Sequence, residues 1–193
     1  MEQTITTNTP KQPSTKLFST LELVYIGVFA ALLAVCSQIQ IPLTVPITLQ
    51  TFGVFCTLEI LGGKRGIFSV LVFILLGAIG IPVFAGFTGG LSILFGSTGG
   101  YILGFLLTAG IYWIAEKTLG NKLWVRITAM VLGLLLCYAF GTAWFMYIYA
   151  RDNGAIGLGT ALGWCVIPFL LPDAVKMALA FVIGGRVKKY VKL

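Results

Sequence analysis

Ile81-Pro82-Val83-Phe84-Ala85-Gly86-Phe87-Thr88-Gly89-Gly90-Leu91-Ser92-Ile93-Leu94-Phe95-Gly96-Ser97-Thr98-Gly99-Gly100-Tyr101 carries no charge and lies between two strongly apolar segments. Its glycines make it a connection and not a span, and this decides how the apolar segments on either side are counted. Two Thr-Gly-Gly triplets would let backbone N–H and C=O groups come close to a bound molecule, because glycine has no Cβ. Gly86/Gly90, Gly96/Gly100 and Gly100/Gly104 are also small residues four apart, the ordinary signature of close helix packing in a bilayer. From these residues alone both readings stand.

Outward from this stretch the chain is that of an integral membrane protein. Of its 193 residues 58% are hydrophobic and only 10% charged, against roughly a quarter charged in soluble domains. There is no histidine, and the only acids are Glu2, Glu22, Glu59, Glu116, Asp152 and Asp173. Most enzyme mechanisms and metal sites lack their usual groups here. Cys36, Cys56, Cys137 and Cys165 stand singly in apolar surroundings and read as small buried hydrophobes, without disulfides. GxxxxGK[ST] is absent, so the chain does not hydrolyse ATP by a phosphate loop.

Residues 1–18 are polar and read as a disordered cytoplasmic tail ahead of a membrane domain at 19–193. Ser19-Thr20-Leu21-Glu22 has capping-box spacing and predicts a helix start. The spans follow at about 20–40, 48–62, 66–81, 98–115 and 127–149, and a sixth ends near Gly184-Gly185. The fold class is all-α, with six transmembrane helices. Lys11, Lys16, Lys64, Arg65, Lys117, Lys122, Arg126, Arg186, Lys188, Lys189 and Lys192 all fall on the terminal face, and Arg151 alone on the other. By the positive-inside rule both termini are cytoplasmic. The net charge of +7 is then a topology signal and not a nucleic-acid patch. The nearly uncharged connections 41–48, 82–98 and 150–166 lie on the outer face, as irregular loops covering a pocket.

One charged pair is embedded in an apolar segment, within Pro172-Asp173-Ala174-Val175-Lys176. Asp173 and Lys176 share a helix face. About 20 Å of helix separates Pro172 from Arg186, so the pair belongs to the outer part of the membrane. There it either neutralises itself or meets a ligand, Asp173 accepting N–H groups and Lys176 donating to a carbonyl or carboxylate. Tyr138, Phe140, Trp144, Phe145, Tyr147 and Tyr149 gather near the outer end of the fifth span, as an interfacial belt or as pocket wall. Gly27, Ala30, Ala31 and Ala34 form small-xxx-small patterns on the first span.

Pro46-Ile47-Thr48-Leu49-Gln50-Thr51, Gly80-Ile81-Pro82-Val83-Phe84-Ala85, Gly89-Gly90, Gly96-Ser97-Thr98-Gly99-Gly100-Tyr101 and Pro172-Asp173-Ala174-Val175-Lys176 together resemble the motifs of the BioY family, in the family's order. These are biotin-specific substrate-binding (S) components of energy-coupling factor (ECF) vitamin transporters. Ser97 departs from the pattern, where the family more often has proline. The resemblance covers about 20–190. It implies a subunit of the bacterial plasma membrane that captures biotin from outside and works with a transmembrane coupling protein and two ATPases, needing no cofactor or metal. It implies a biotin site of Asp173, Lys176, Thr48, Gln50, Ser97 and Tyr101, with Gly89, Gly90, Gly99 and Gly100 giving close backbone approach and Phe84 and Trp144 as walls. Ala30 and Ala34, with Ala31 adjacent, map onto its partner interface. An S component for another vitamin and a self-sufficient channel or secondary transporter are the alternative readings.

Overall fold

The computed structural model describes residues 17–43 and 45–190. Of the 1–18 tail only Leu17 and Phe18 are among them, and Thr44 and Lys192 lie outside them. Ser19 and Glu22 form the predicted capping box: the Glu22 N–H donates to Ser19 Oγ at 3.2 Å, and the Ser19 N–H to Glu22 Oε2 at 2.7 Å. Two backbone donors at the helix start are satisfied in this way, and α1 spans Thr20–Gln38.

The connection expected to be irregular over 41–48 is instead partly a short antiparallel hairpin, β1 (Gln40–Ile41) on β2 (Ile47–Thr48). Pro42 and Pro46 fall outside the paired residues, where a missing N–H leaves no ladder bond undone. α2 (Gln50–Ala78) is interrupted at Gly62, with φ 76° and ψ 170°. A Cβ built on Gly66 would fall 3.4 Å from Leu58 Cα, whereas eight residues of continuous helix are about 12 Å long. The chain therefore doubles back at Gly62, where glycine tolerates the positive φ. Its two limbs are the second and third predicted spans.

Four helices follow the glycine-rich stretch and its single turn α3 (Leu91–Leu94): α4 (Gly99–Leu119), α5 (Leu123–Asn153), α6 (Leu158–Cys165) and α7 (Ile167–Val187). The loop expected at 150–166 shrinks to the residues around Gly154–Gly157, because α5 runs further and α6 takes up the rest. Pro168 sits in the first turn of α7, where its missing N–H breaks no helical bond. Five stretches are long and apolar enough to cross a membrane, and α2 supplies two limbs, in keeping with six spans. α4 and α5 lie along one another, with Gly104 against Cys137 and Gly133 against Thr108. Small residues bring the two helices close together.

The basic residues meet at one end. Arg65 Nε is 2.6 Å from Glu22 Oε1, Lys64 Nζ donates to the Leu17 carbonyl at 3.3 Å, and Glu116 Oε2 accepts the Gly63 N–H at 2.6 Å. Lys188 lies beside this group and Arg126 pairs with Glu59. The positive-inside rule assigns this end to the cytoplasm.

At the same end Gly63 packs on Trp113, and an added Cβ would lie 2.8 Å from the Trp113 backbone nitrogen. Gly63→Ala is expected to lower stability by about 1–3 kcal/mol through overpacking. Gly110→Ala, whose Cβ would meet nothing within 4 Å, serves as the control. Thermal unfolding in detergent checks the pair, and equal midpoints would contradict the close contact.

α1 corrects one expectation. Ile26, Phe29, Ala30, Leu33 and Ser37 face the core, Ala30 with only 1% of its surface exposed, and Ala34 is half-buried. Ala30 therefore has no surface for a partner, and of the three alanines only Ala31 lies on the outward face. Gly27, with open space around it, shares that face.

Candidate ligand-binding site

At the end opposite the basic residues, the β hairpin and the 82–98 stretch roof a cavity of about 280 Å³ between α2, α4, α5 and α7. Its walls are mostly apolar, with Val45, Phe84, Ile93, Ile102, Phe105, Leu134 and Phe169 contributing. A few polar groups converge in it, which is the usual composition of a small-molecule site.

Asp173 is the centre of those groups and is fully buried. The i,i+3 spacing brings Lys176 Nζ to 2.7 Å from Asp173 Oδ1. Thr51, one residue into α2, donates its hydroxyl to the same oxygen at 2.8 Å, and Tyr138 of α5 donates to Oδ2 at 2.6 Å. Lys176 also donates to the Thr48 carbonyl at 2.8 Å and to Thr51 Oγ1 at 3.1 Å. A buried charge pair persists only when its other hydrogen-bonding capacity is met, and the hairpin end, α2 and α5 meet it here.

The count of free valences tells what this network can still bind. An ammonium has three N–H donors, and all three of Lys176 are taken. A carboxylate accepts about four hydrogen bonds; Asp173 has accepted three, which leaves one position, on Oδ2. Gln50 is only 5% exposed, lines the cavity, and its Nε2 has no partner among the described residues. The site thus offers one strong acceptor and one unpaired carboxamide donor inside an apolar shell.

Of the residues expected at the site, Asp173, Lys176, Thr48, Gln50, Phe84 and Tyr101 line the cavity; Gly89, Gly90, Ser97, Gly99, Gly100 and Trp144 do not. Packing accounts for most of the second group. Gly100 lies under the Trp144 side chain, Gly99 against the backbone of Leu94, and Gly89 against the Ile81 carbonyl. The Gly90 N–H donates to the Gly77 carbonyl at 2.7 Å. Trp144 donates from Nε1 to the Gly96 carbonyl at 3.0 Å, so it clamps the glycine-rich stretch to α5 from outside the cavity. Ser97 is not itself a lining residue, although the next residue, Thr98, is.

The polar lining residues Gln40, Thr51, Thr88, Thr98 and Tyr138 were not among those expected, and two of them hydrogen-bond Asp173. Thr51 stands inside Pro46–Thr51, and Tyr138 inside the aromatic cluster of the fifth span; neither spacing reveals that both reach Asp173.

The fold and the cavity define a multi-pass helical membrane protein with a small-molecule pocket at the end away from its basic residues. The BioY family profile matches residues 8–193, and the chain belongs to the BioY family. It is similar to "Biotin transporter BioY" of Thermotoga maritima, 39% identical over 170 residues, 87% of this chain and 96% of that one. It is also similar to "Biotin transporter BioY2" of Lactococcus lactis, 36% identical over 177 residues, 89% of this chain and 90% of that one. The crystal structure of the S-component for biotin from an ECF-type ABC transporter superposes with a TM-score of 0.75 at 29% identity, covering 87% of this chain and 90% of the other. The resemblance read from the motifs is a family relationship.

Proposed function

We propose that this chain is the substrate-binding subunit that captures biotin from the outer face of a bacterial plasma membrane for an ATP-driven ECF transporter. The observation that carries the reading is the buried Asp173 network beside the unpaired Gln50 carboxamide, in a cavity that is otherwise apolar. Biotin presents the complementary set: a ureido group with N–H donors and a carbonyl acceptor, on an apolar bicyclic frame with an aliphatic chain. One ureido N–H goes to the free position on Asp173 Oδ2, and Gln50 Nε2 donates to the ureido carbonyl. Lys176 pairs with Asp173 and holds it in place, and Phe84, Phe105 and Phe169 cover the ring system. The coupling protein meets the outward face of α1 at Gly27 and Ala31, and the two ATPases bound to it supply the ATP hydrolysis.

Calorimetric titration of the detergent-purified chain tests this. Saturable one-to-one binding of biotin is expected, with no heat from thiamin or riboflavin. Heat from another vitamin instead would make the chain an S component for that vitamin. Biotin flux into liposomes holding this chain alone would favour a self-sufficient transporter. Gln50→Ala is expected to weaken biotin about tenfold, the value of one hydrogen bond in a desolvated site, and unchanged affinity would remove Gln50 from the site.

A further inference from the structure

Gln38, the last residue of α1, does not line the cavity, yet its side chain is tied to the loop that does. Its Oε1 accepts the Phe87 N–H at 2.8 Å, and its Nε2 lies 3.1 Å from the Phe84 carbonyl and 3.2 Å from the Val83 carbonyl. The adjacent Ser37 hydroxyl donates to the Val83 carbonyl as well. One carboxamide therefore reaches both the incoming and the outgoing backbone of a single turn. The inner side of that turn, Phe84, Ala85 and Thr88, forms part of the cavity wall.

The two ends of the turn are held differently. Phe84 is buried, packed edge-on against Phe73 and over Gly77, so its place is fixed by the core. Phe87 is 73% exposed and has φ 56°, the one non-glycine residue with positive φ among the described residues. Side chains disfavour that backbone region, and no burial holds Phe87 in it. The turn's own bonds are the Phe84 N–H to the Thr88 carbonyl and the Thr88 hydroxyl to the Ala85 carbonyl, both 3.0 Å. Within Ala85–Thr88 the bond from Phe87 to Gln38 reaches a membrane helix, and beyond the turn the Gly90 N–H is held by the Gly77 carbonyl of α2.

We propose that Gln38 is a positioning residue for the ligand: it latches the Ala85–Thr88 turn shut over the cavity and thereby sets how slowly a bound molecule leaves. The inference rests on the cavity being the biotin site. The chemistry requires a carboxamide, because one end must accept an N–H and the other must donate to carbonyls. Glutamate in the same place accepts from Phe87 but confronts the Val83 and Phe84 carbonyls with negative charge, and methionine fills the space with neither function. A residue that merely stabilised the fold would act on the whole protein. A latch acts on one turn and on the dissociation rate.

The test uses the full chain in nanodiscs, with radiolabelled biotin chased by unlabelled biotin to read dissociation, and amide exchange by mass spectrometry to read the 83–90 segment. Gln38→Met is expected to speed dissociation about tenfold, the effect of one hydrogen bond in a desolvated setting, with association within twofold of wild type. Amide exchange in 85–88 should rise while the helices keep their protection. Gln38→Glu should also raise dissociation, since it keeps only the Phe87 contact. Wild-type dissociation rates in both variants would overturn the latch, and so would faster dissociation with unchanged exchange in 85–88. A uniform rise in exchange across the helices would likewise overturn it, as a purely structural role. Failure of the wild-type protein to bind biotin would instead remove the biotin reading and, with it, this role for Gln38.

Discussion

Asp173→Asn is expected to weaken biotin binding more than tenfold, above about 1.4 kcal/mol, and to lower the stability of the protein by about 3–5 kcal/mol. The two losses have different origins. Asparagine keeps one oxygen but replaces the other with an NH₂ group, which cannot accept from Tyr138 or from a ligand N–H. The Lys176 ammonium, almost fully buried, then meets only neutral acceptors, the asparagine oxygen, the Thr48 carbonyl and the Thr51 hydroxyl, and an uncompensated charge remains in a low-dielectric site. Asp173→Asn combined with Lys176→Met removes that charge, so stability should largely return while affinity does not. Thermal unfolding and calorimetric titration on the two variants separate the effects. Restored affinity in the double variant would show that Asp173 contributes to binding only through the fold.

The contrast between Asp173 and its neighbours shows which parts of the site were legible in the sequence. A carboxylate and an ammonium three residues apart in an apolar segment need each other whatever the fold, so the pair could be read from spacing. Thr51 and Tyr138 stand 122 and 35 residues from Asp173 along the chain; their contacts are products of helix packing and have no local signature. The glycines were ambiguous for a related reason. A missing Cβ serves a ligand and a neighbouring helix equally well, and here Gly99 and Gly100 serve Leu94 and Trp144. The span pattern was legible because the capping box at Ser19, the charged turn at Gly62–Gly66 and the one-sided basic residues each have a physical meaning by themselves. The rotation of α1 was not. Soluble helices reveal their inward side by polarity, but α1 is apolar all round, with Leu21, Val24, Val28, Leu32 and Val35 facing outward. Nothing in the sequence then distinguishes the face of Ala30 from that of Ala31.

At the opposite end of the molecule, Arg126→Leu is expected to lower stability by about 3–5 kcal/mol with biotin affinity unchanged in the folded fraction. Glu59 lies near the end of the first limb of α2, with 1% of its surface exposed. Arg126 from the start of α5 pairs with its Oε1, and the Tyr112 hydroxyl of α4 donates to Oε2 at 3.3 Å. Gly184 of α7 presses on the Glu59 stem, an added Cβ there falling 3.0 Å from Glu59 Cβ. Four helices thus converge on one carboxylate at the basic end. Removing only the arginine strands a negative charge that four helices shield from water. Removing both members, as Glu59→Leu with Arg126→Leu, replaces the pair by apolar volume and should recover most of the loss, because burying two ions is itself unfavourable. The nine residues from Gln50 to Glu59 place the pair about 14 Å along α2 from the cavity, so the affinity of folded protein should not follow. Thermal unfolding and biotin titration on the single and double variants decide the matter. A fall in affinity at unchanged stability would mean that the two ends are coupled through α2, and that the Glu59 pair belongs to the transport cycle and not only to the fold.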